Sequence, residues 1–341
     1  MNSIDALTRA AEDFIRVIEL LPAEWFLTFI DDWTPRDITA HLAWWNRNMI
    51  AASQSVRAGR TPAHYMDATN DYRNINAQAI AEFPATERRV LLAQLRATLD
   101  EFRQYLETLA LNDWDADFGV HHYRGGAATA RRIVQSLTGD YECHTQKIAQ
   151  WRDAMTTNPP GEFFDVVNDA NVVIGQAART LVHQRGLWHR GANVFLFTRD
   201  GKLLVQRRSQ DKDTFPGALD CSVSEHLKVG ESYDAAAMRG LHEELGVIGV
   251  ALTPLIEFSL AYGERDNEIS QLFHGIVEPE AVRFDPVEIE SVAYYRLEEL
   301  ATMLETQPAL FSRWFAQLLL WYFAKPNELR VLHTFPNLSG S

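Results

Sequence analysis

The first 151 residues carry apolar side chains at intervals of three and four, which is the spacing of amphipathic helices. One helix is predicted to begin after Thr34, because threonine caps a helix N-terminus, Pro35 suits the first helical position and Asp37 favours the positive helix end. Four such stripes, each too long to be buried alone, predict an antiparallel four-helix bundle. The stripes are Leu7, Ala11, Phe14, Ile18 and Leu21; Ile38, Leu42, Trp45 and Met49; Leu91, Leu95, Phe102, Leu106 and Leu109; and Ala130, Val134, Leu137, Tyr141, His144, Ile148 and Trp151.

The pattern changes after residues 156–161, where paired prolines forbid a helix and a glycine adds a turn. A hairpin over 166–174 comes next. Predicted strands then cover 192–197, 203–205, 252–260, 269–277 and 291–296, and predicted helices cover 233–245, 297–304 and 309–323. The chain is therefore predicted to be an α+β two-domain protein, with a helical bundle over 1–157 and an α/β sandwich over 161–328.

Composition narrows the class of protein. The 341 residues suffice for roughly two domains, and 46% apolar residues suffice for two buried cores. A net charge of -14 argues against binding to nucleic-acid phosphates, and two cysteines point to a reducing compartment. The longest apolar stretch, 314–324, is too short to span a membrane, and the acidic opening segment is not a signal peptide. We expect a cytoplasmic protein without nucleic-acid or membrane partners.

The segment 230–247 carries the strongest chemical signal. Glu243 and Glu244 lie just before Gly246, a helix C-terminal cap, and four residues after Arg239 and Gly240. Adjacent carboxylates at a helix C-terminus repel each other and the negative helix end. A divalent cation would reverse that penalty, and hard oxygen ligands suit Mg²⁺ or Mn²⁺. Glu231, at the start of the helix, is placed to pair with Arg239 or to join the metal.

This segment resembles the signature of the Nudix hydrolases, and the resemblance covers residues 161–325. It implies a Nudix α/β/α sandwich and metal-dependent hydrolysis of a diphosphate. Two positions depart from the signature: Glu225 replaces its first glycine, and Gly240 replaces the glutamate that follows the arginine. The positions in register are Glu231, Arg239, Leu241, Glu243, Glu244, Gly246 and Val247.

The resemblance also assigns roles to individual residues. Because Gly240 carries no carboxylate, Glu243 or Glu268 is expected to accept the proton of the attacking water. We expect Glu243, Glu244 and Arg239 to be catalytic, and a Mg²⁺ or Mn²⁺ ion to be held by Glu243 and Glu244, with Glu231 or Glu268 completing the site.

Within this family the stretch 187–232 resembles the branch that contains type I isopentenyl diphosphate isomerase. His189, His226, Asp266 and Glu268 match the metal-site region of that branch. In the isomerases a catalytic cysteine stands two residues before the second of these histidines, where this chain has Ser224. Serine is a poorer acid and nucleophile than a thiol. Strand alternation predicts that Cys221 lies on the opposite side of the strand from Ser224.

A basic cluster precedes the acidic helix. Arg207, Arg208 and Lys212 are predicted to clamp a diphosphate, arginine through bidentate hydrogen bonds and lysine as a point charge. The alternative is a solvated turn without a ligand. His189 and His226 complete the expected substrate-binding set.

The segment 33–42 resembles the start of the second helix in DinB-like bundles, a superfamily that includes the ClbS-like resistance proteins. In metal-binding members the histidine of this helix joins two more from a pair spaced by four residues. Here His41 would join Asp140 and His144, which share one helical face, in a possible second metal site. The alternative for His41 is a hydrogen-bonded histidine of the core.

Three functions follow from these patterns. The first is a metal-dependent Nudix hydrolase that cleaves a small organic diphosphate, a nucleotide or a prenyl compound, with the bundle as a docking or dimerising module of a homodimer. The second is an isomerase of the isopentenyl diphosphate type. The third is a ClbS-like binding or self-protection protein whose Nudix site is degenerate.

Overall fold

The structure is a computed structural model, and it describes residues 3–66, 72–122, 125–212, 214–263 and 265–336. The chain divides into two units, Met1–Pro159 and Pro160–Ser341. Helices build the first unit, and a mixed sheet flanked by helices builds the second. The predicted fold class, a helical unit followed by a sandwich, is confirmed.

The four apolar stripes correspond to the four long helices of the first unit. Thr34 begins the second helix through a capping box, in which its hydroxyl accepts from the amide of Asp37 and the Asp37 carboxylate accepts from the amide of Thr34. A shorter helix was not predicted, and it buries only Ala79, so its sequence shows no stripe. The described helices are α1 (Ser3–Glu19), α2 (Pro35–Arg57), α3 (Arg73–Glu82), α4 (Arg88–Glu107) and α5 (Ala130–Thr157).

A chain of buried hydrogen bonds crosses the core of the helical unit. The hydroxyl of Tyr141 on α5 donates to Asn46 Oδ1 on α2 at 3.1 Å, and Asn46 Nδ2 donates to Thr98 Oγ1 on α4 at 3.0 Å. The Tyr141 ring packs edge-on against Phe14 of α1. Leaving one of these buried polar groups unpaired would cost about 1–3 kcal/mol, so the chain of hydrogen bonds sets the register of the helices.

The second unit begins with the predicted hairpin and continues into an eight-stranded sheet. The sheet order is β10-β7-β8-β3-β4-β5, with β6 paired to β3 and β9 paired to β4, and the pairing of β3 with β8 is parallel. The strands are β1 (Phe163–Val167), β2 (Val173–Ala178), β3 (Trp188–Phe197), β4 (Leu203–Arg208), β5 (Leu219–Asp220), β6 (Val223–His226), β7 (Thr253–Gly263), β8 (Asp266–Ile276), β9 (Ile289–Tyr295) and β10 (Arg330–Thr334). The helices are α6 (Arg179–Arg185), α7 (Tyr233–Leu245), α8 (Leu297–Thr306) and α9 (Arg313–Tyr322).

Strand β3 shows how the two faces of the sheet are covered. Its even positions, such as Val194, belong to the same buried cluster as Leu241 of α7. Its odd positions face the other way, where Phe195 packs edge-on against Phe315 of α9. Helix α7 therefore covers one face and α8 with α9 covers the other, which is the predicted α/β/α sandwich. We call these the α7 face and the α9 face.

The last helix begins later than predicted. Pattern alone suggested 309–323, but α9 begins at Arg313, after Ser312, whose hydroxyl accepts from the amide of Phe315. Phe311 instead forms a bridge to Leu219 in the sheet. Apolar periodicity does not distinguish these residues from a helical turn, since their side chains are buried in either conformation.

Candidate functional site

Arg239 on α7 holds three carboxylates. Its Nε and Nη2 bind the two oxygens of Glu231, both at 2.9 Å, and its Nη1 binds Glu225 at 2.8 Å and Glu243 at 3.1 Å. The hydrogen bond to Glu231 and the charge of Glu225 raise the pKa of Arg239, and the guanidinium lowers the pKa of Glu231. Of the two roles expected for Glu231, the structure shows the pairing with Arg239. The arginine thus offsets much of the expected repulsion without a metal.

Glu244 is the carboxylate that Arg239 does not reach. It is 7% exposed, and Gln206 Nε2 donates to its Oε2 at 3.0 Å. Burial raises its pKa well above the ordinary value, and the negative charge of Glu225 raises it further. Within the described residues no arginine or lysine forms an ion pair with Glu244. The carboxylate of the α7 face without an ion-pair partner among the described residues is therefore Glu244, which also feels the charge of Glu225.

The two departures from the Nudix signature contact each other. Gly240 is buried on α7, and a Cβ atom built there would overlap Val223 of β6 and lie 2.7 Å from Glu225 Cγ. The Glu225 side chain therefore fills the space that a side chain at position 240 would need. Spacing along the chain could not show this, since fifteen positions separate the two residues.

A second cluster lies on the α9 face. Glu268 Oε1 is 3.4 Å from His226 Nε2 and 3.8 Å from His189 Nε2, and Ser270 donates to its other oxygen. Burial raises the pKa of Glu268, but the hydrogen bond and charge of His226 outweigh it and lower the pKa to about 2. Burial and the neighbouring His226 lower the pKa of His189 to about 4.

His183, on α6, extends this cluster. Ligand atoms of His183, His189 and His226 all lie within 4.8 Å of one another, and Asp266 Oδ1 is 3.4 Å from His183 Nδ1. The Nε2 of fully buried His189 has no hydrogen-bond partner. An unpaired buried imidazole nitrogen among imidazoles and carboxylates fits a first-row transition metal such as Mn²⁺ or Zn²⁺. The sequence pattern does not single out His183, because the seven-residue α6 shows no clear apolar period.

The predicted set of four metal-binding carboxylates is divided between the two faces. Glu268 is paired across strands with His189, so it faces α9, whereas Glu231, Glu243 and Glu244 lie on the α7 face. The sheet separates them. The expectation that Glu268 completes the ion site of Glu243 and Glu244, or accepts a proton beside α7, therefore needs correction. Strand register, which the sequence did not reveal, decided this division.

The prediction for Cys221 was wrong. Ser224 Oγ donates to Asn193 Oδ1 at 2.8 Å, and Cys221 Sγ contacts the same oxygen at 3.8 Å. Both side chains therefore lie on the α9 face. The chain leaves strand geometry at residues 221–222, between β5 and β6, so the alternation of an unbroken strand does not apply. Burial raises the pKa of the Cys221 thiol well above its usual value.

The basic cluster is largely occupied by other partners. Arg208 Nη1 binds buried Asp220 at 2.9 Å, and its guanidinium lies over Trp314. Lys212 forms an ion pair with Glu288. Arg207 Nη1 donates to the carbonyl of Gly217 at 2.7 Å, and among the described residues it has no carboxylate partner. Arg207 is thus the member of the predicted clamp whose charge is not paired.

The predicted trio of the helical unit lies together. His41 Nε2 is 3.0 Å from Asp140 Oδ2, and His144 Nε2 is 3.4 Å from Asp140 Oδ1. Burial raises the pKa of Asp140, but hydrogen bonds from His144 and His41 outweigh it and keep the pKa far below its usual value. The Nδ1 atoms of both histidines are buried without a partner. One ligand atom from each of the three side chains lies within 4.8 Å of the others, and two imidazoles with an ionised carboxylate fit a divalent cation.

A sandwich in which one helix presents an arginine and its signature carboxylates defines a Nudix-type hydrolase. The chain belongs to the Nudix family. The NUDIX domain profile matches residues 187–315, and the DinB superfamily profile matches residues 6–148.

Two curated relatives illustrate the similarity. The chain is 33% identical over 140 residues to an uncharacterized Nudix hydrolase of Yersinia pestis, a match that covers 41% of this chain and 75% of that protein. It is 34% identical over 161 residues to an isopentenyl-diphosphate Delta-isomerase of Streptomyces griseus, covering 46% of this chain and 80% of the isomerase.

Two solved structures are similar to part of the chain. DR0079 from Deinococcus radiodurans is 28% identical with a TM-score of 0.41, covering 46% of this chain and 97% of that one. The colibactin self-resistance protein ClbS, solved in complex with a dsDNA, is 15% identical with a TM-score of 0.37. The match covers 44% of this chain and 92% of the ClbS chain. The absence of a nucleic-acid partner for the present chain stays a prediction. In the described part of the chain, no helix combines the length and the apolar character needed to cross a membrane.

Proposed function

We propose that the unit Pro160–Ser341 hydrolyses a small organic diphosphate, a nucleotide or a prenyl compound, with the help of Mg²⁺ or Mn²⁺. One observation carries the proposal. Buried Glu244 lies within electrostatic reach of Glu225 on the α7 face, and among the described residues no basic side chain forms an ion pair with it. A bound cation would offset the burial and the negative charge of Glu225 that together raise the pKa of Glu244.

The residues present fit such an ion. Glu244 and Glu225 would hold it, with half-exposed Glu243 as a third oxygen ligand. Once bound, a divalent cation neutralises diphosphate oxygens and lowers the pKa of a coordinated water. Glu231 contributes by orienting Arg239, through the paired hydrogen bonds between them.

Glu225 takes the role of the carboxylate that Gly240 lacks. Arg239 binds Oε2 of Glu225, and Oε1 has no hydrogen bond to another described residue. That oxygen is available to accept the proton of the attacking water, as is the carboxylate of Glu243. Arg207, which has no carboxylate partner among the described residues, would bind the diphosphate, and Arg208 and Lys212 would support the turn through Asp220 and Glu288.

The test is phosphate release by the purified full chain from a panel of nucleotide and prenyl diphosphates, with Mg²⁺ and with Mn²⁺. Glu244→Gln is expected to lower turnover about 100-fold or more. Glu298→Gln, an exposed residue of α8, is the matched control and should leave turnover unchanged. Retained turnover in the Glu244→Gln chain would refute the assignment.

An isomerase of the isopentenyl diphosphate type is the second candidate. It is favoured by the cluster of His189, His226 and Glu268, and by the similarity to a protein named as such an isomerase. Ser224 at the cysteine position weighs against it, and the protonated thiol of Cys221 does not restore the lost acidity. Proton NMR of isopentenyl diphosphate incubated with the chain distinguishes the two, since an isomerase moves the double bond without releasing phosphate.

The third candidate is a ClbS-like binding or self-protection protein, in which the Nudix site is degenerate and has no catalytic role. It predicts no phosphate release from any member of the panel, while the helical unit still binds or modifies a small molecule. Assays of the separated units test this, because activity confined to the helical unit would favour this alternative.

A further inference from the structure

The helical unit contains a cavity of about 680 Å³ that the proposed hydrolysis does not use. This volume falls within the range of small-molecule sites, roughly 300–1,000 Å³. One wall comes from α2 and the residues that follow it, and the opposite wall comes from α5. His41, Asp140 and His144 line one part of it, and Arg132 lines another.

Five aromatic rings follow one another along the first wall, which also includes Met49 and Asn76. Ring centroids are separated by 4.9 Å between Trp33 and His41, 6.0 Å between His41 and Trp45, 5.2 Å between Trp45 and His64, and 4.6 Å between His64 and Tyr65. A continuous chain of ring contacts thus leads away from the histidines. Such a surface favours flat, apolar rings by stacking and edge contacts, each worth about 0.5–1.5 kcal/mol.

The aromatic wall carries little charge at neutral pH. Burial and the charge of His122 lower the pKa of His64 to about 4, so this imidazole stays neutral. The carboxylate of Asp140 is held between His41 and His144. Among the described residues that line the cavity, the one carboxylate is therefore that of Asp140, which lies on the α5 wall and is already paired.

Arg132 supplies a positive charge to the lining of the cavity. It lies in the first turn of α5, eight residues before Asp140, so its Cα lies about 12 Å from that of Asp140 along the helix axis. Its Nη1 donates to the carbonyl of Ala127 at 3.1 Å, and its guanidinium packs over Gly126, where any Cβ would overlap it. Within the described residues it has no carboxylate partner. In a chain of net charge -14, an unpaired guanidinium facing a cavity favours an anion.

We propose that this cavity binds a small aromatic molecule that carries one anionic group, a carboxylate or a sulfonate. The anionic group lies on the guanidinium of Arg132 and the rings lie against Trp45 and Tyr65. The proposal is independent of diphosphate hydrolysis and does not require a metal ion at the trio of His41, Asp140 and His144.

A pair of dyes tests the proposal on the full chain. The probe is 8-anilinonaphthalene-1-sulfonate, an aromatic anion, and its neutral counterpart is N-phenyl-1-naphthylamine. Arg132→Gln is expected to weaken binding of the anion about tenfold or more, since a hydrogen bond to a charged group contributes about 1.5–3 kcal/mol, and to leave binding of the neutral dye unchanged. Arg89→Gln, an exposed arginine of α4, is the matched control and should change neither.

A second variant shows where the dyes bind. Cys143 is exposed on α5 and lines the cavity, so Cys143→Trp fills part of the volume and should weaken both dyes. Equal binding of the anion by the wild type and Arg132→Gln would overturn the proposal. So would a wild-type chain that binds neither dye, or dye binding that Cys143→Trp leaves intact, because the dyes would then lie outside this cavity.

Discussion

Glu225 on β6 reaches across to Gly240 on α7, so that a Cβ atom at position 240 would lie only 2.7 Å from Glu225 Cγ. Non-bonded carbon atoms do not approach so closely without displacement. The two substitutions in the signature are therefore one exchange in space, in which the carboxylate comes from the strand and the helix makes room for it.

Replacing two helical glycines by alanine is predicted to change the stability of the protein in opposite directions, because one is crowded and the other is not. Gly240→Ala is expected to destabilise the protein by about 1–3 kcal/mol, because overlap with Val223 and Glu225 outweighs the better helix propensity of alanine. Gly139→Ala on α5, where nothing lies within 4 Å, should stabilise the protein by about 0.5–1 kcal/mol. Urea unfolding measures both.

A double variant completes this comparison. Glu225→Gly combined with Gly240→Ala should recover part of the stability that Gly240→Ala alone loses, although Val223 still limits the space. Additive losses in the double variant would show that the two positions are not coupled.

Arg239 is predicted to be the main electrostatic support of the α7 face. Arg239→Gln leaves Glu225 and Glu231 without an ion-pair partner among the described residues, leaves Glu243 with Lys228 alone, and should lower the free energy of unfolding by about 3 kcal/mol or more. Arg96→Gln is the control, since its pair with Glu19 is exposed and should contribute less than about 1 kcal/mol. Similar losses for the two variants, measured by urea unfolding at pH 7, would contradict the prediction.

His64 is predicted to destabilise the helical unit as the pH falls. Its pKa is about 4 in the folded chain against 6.5 in the unfolded chain, so between these values the unfolded chain binds more protons. Stability is unaffected above pH 6.5 and declines as the pH falls towards 4, by up to about 3 kcal/mol. Unfolding of the wild type and His64→Gln at pH 7.5 and pH 5.0 measures the difference.

The control for this experiment is His242→Gln, an exposed histidine of α7. It should keep the pH dependence of the wild type, whereas His64→Gln should reduce it. A wild-type slope in His64→Gln would assign the effect to other groups.

Two separate sites for a transition metal are predicted, one in each unit. Cobalt(II) added to the EDTA-treated full chain should produce visible absorption from both. His144→Gln should remove the contribution of the helical unit, and His226→Gln should remove that of the α9 face. His333→Gln, an exposed histidine of β10, is the control and should leave the spectrum unchanged. A spectrum that neither His144→Gln nor His226→Gln alters would contradict both sites.

Local patterns predicted those parts of the fold that depend on neighbouring residues in the chain. The capping box at Thr34 and the left-handed cap at Gly246 could be predicted from the sequence, because caps act within one helical turn. The contact of Glu231 with Arg239 and the trio of the helical unit also followed from helical spacing or from the family resemblance. The short helix α6 and strand β10 could not be predicted, since their few residues show no distinct period.

The sequence by itself determined the two folding units, the type of each and the residue types available for chemistry, because apolar periodicity and helix caps are local properties. The tertiary structure alone decided which of those residues meet. In the structure Glu268 and Glu244 lie on different faces of the sheet, and Glu225 contacts Gly240. His183 lies with the histidines of the α9 face, and Cys221 and Ser224 contact the same Asn193 oxygen. The physical reason is that strand register and the break between β5 and β6 assign each side chain to a face of the sheet, and shifting either by one residue would reverse that assignment.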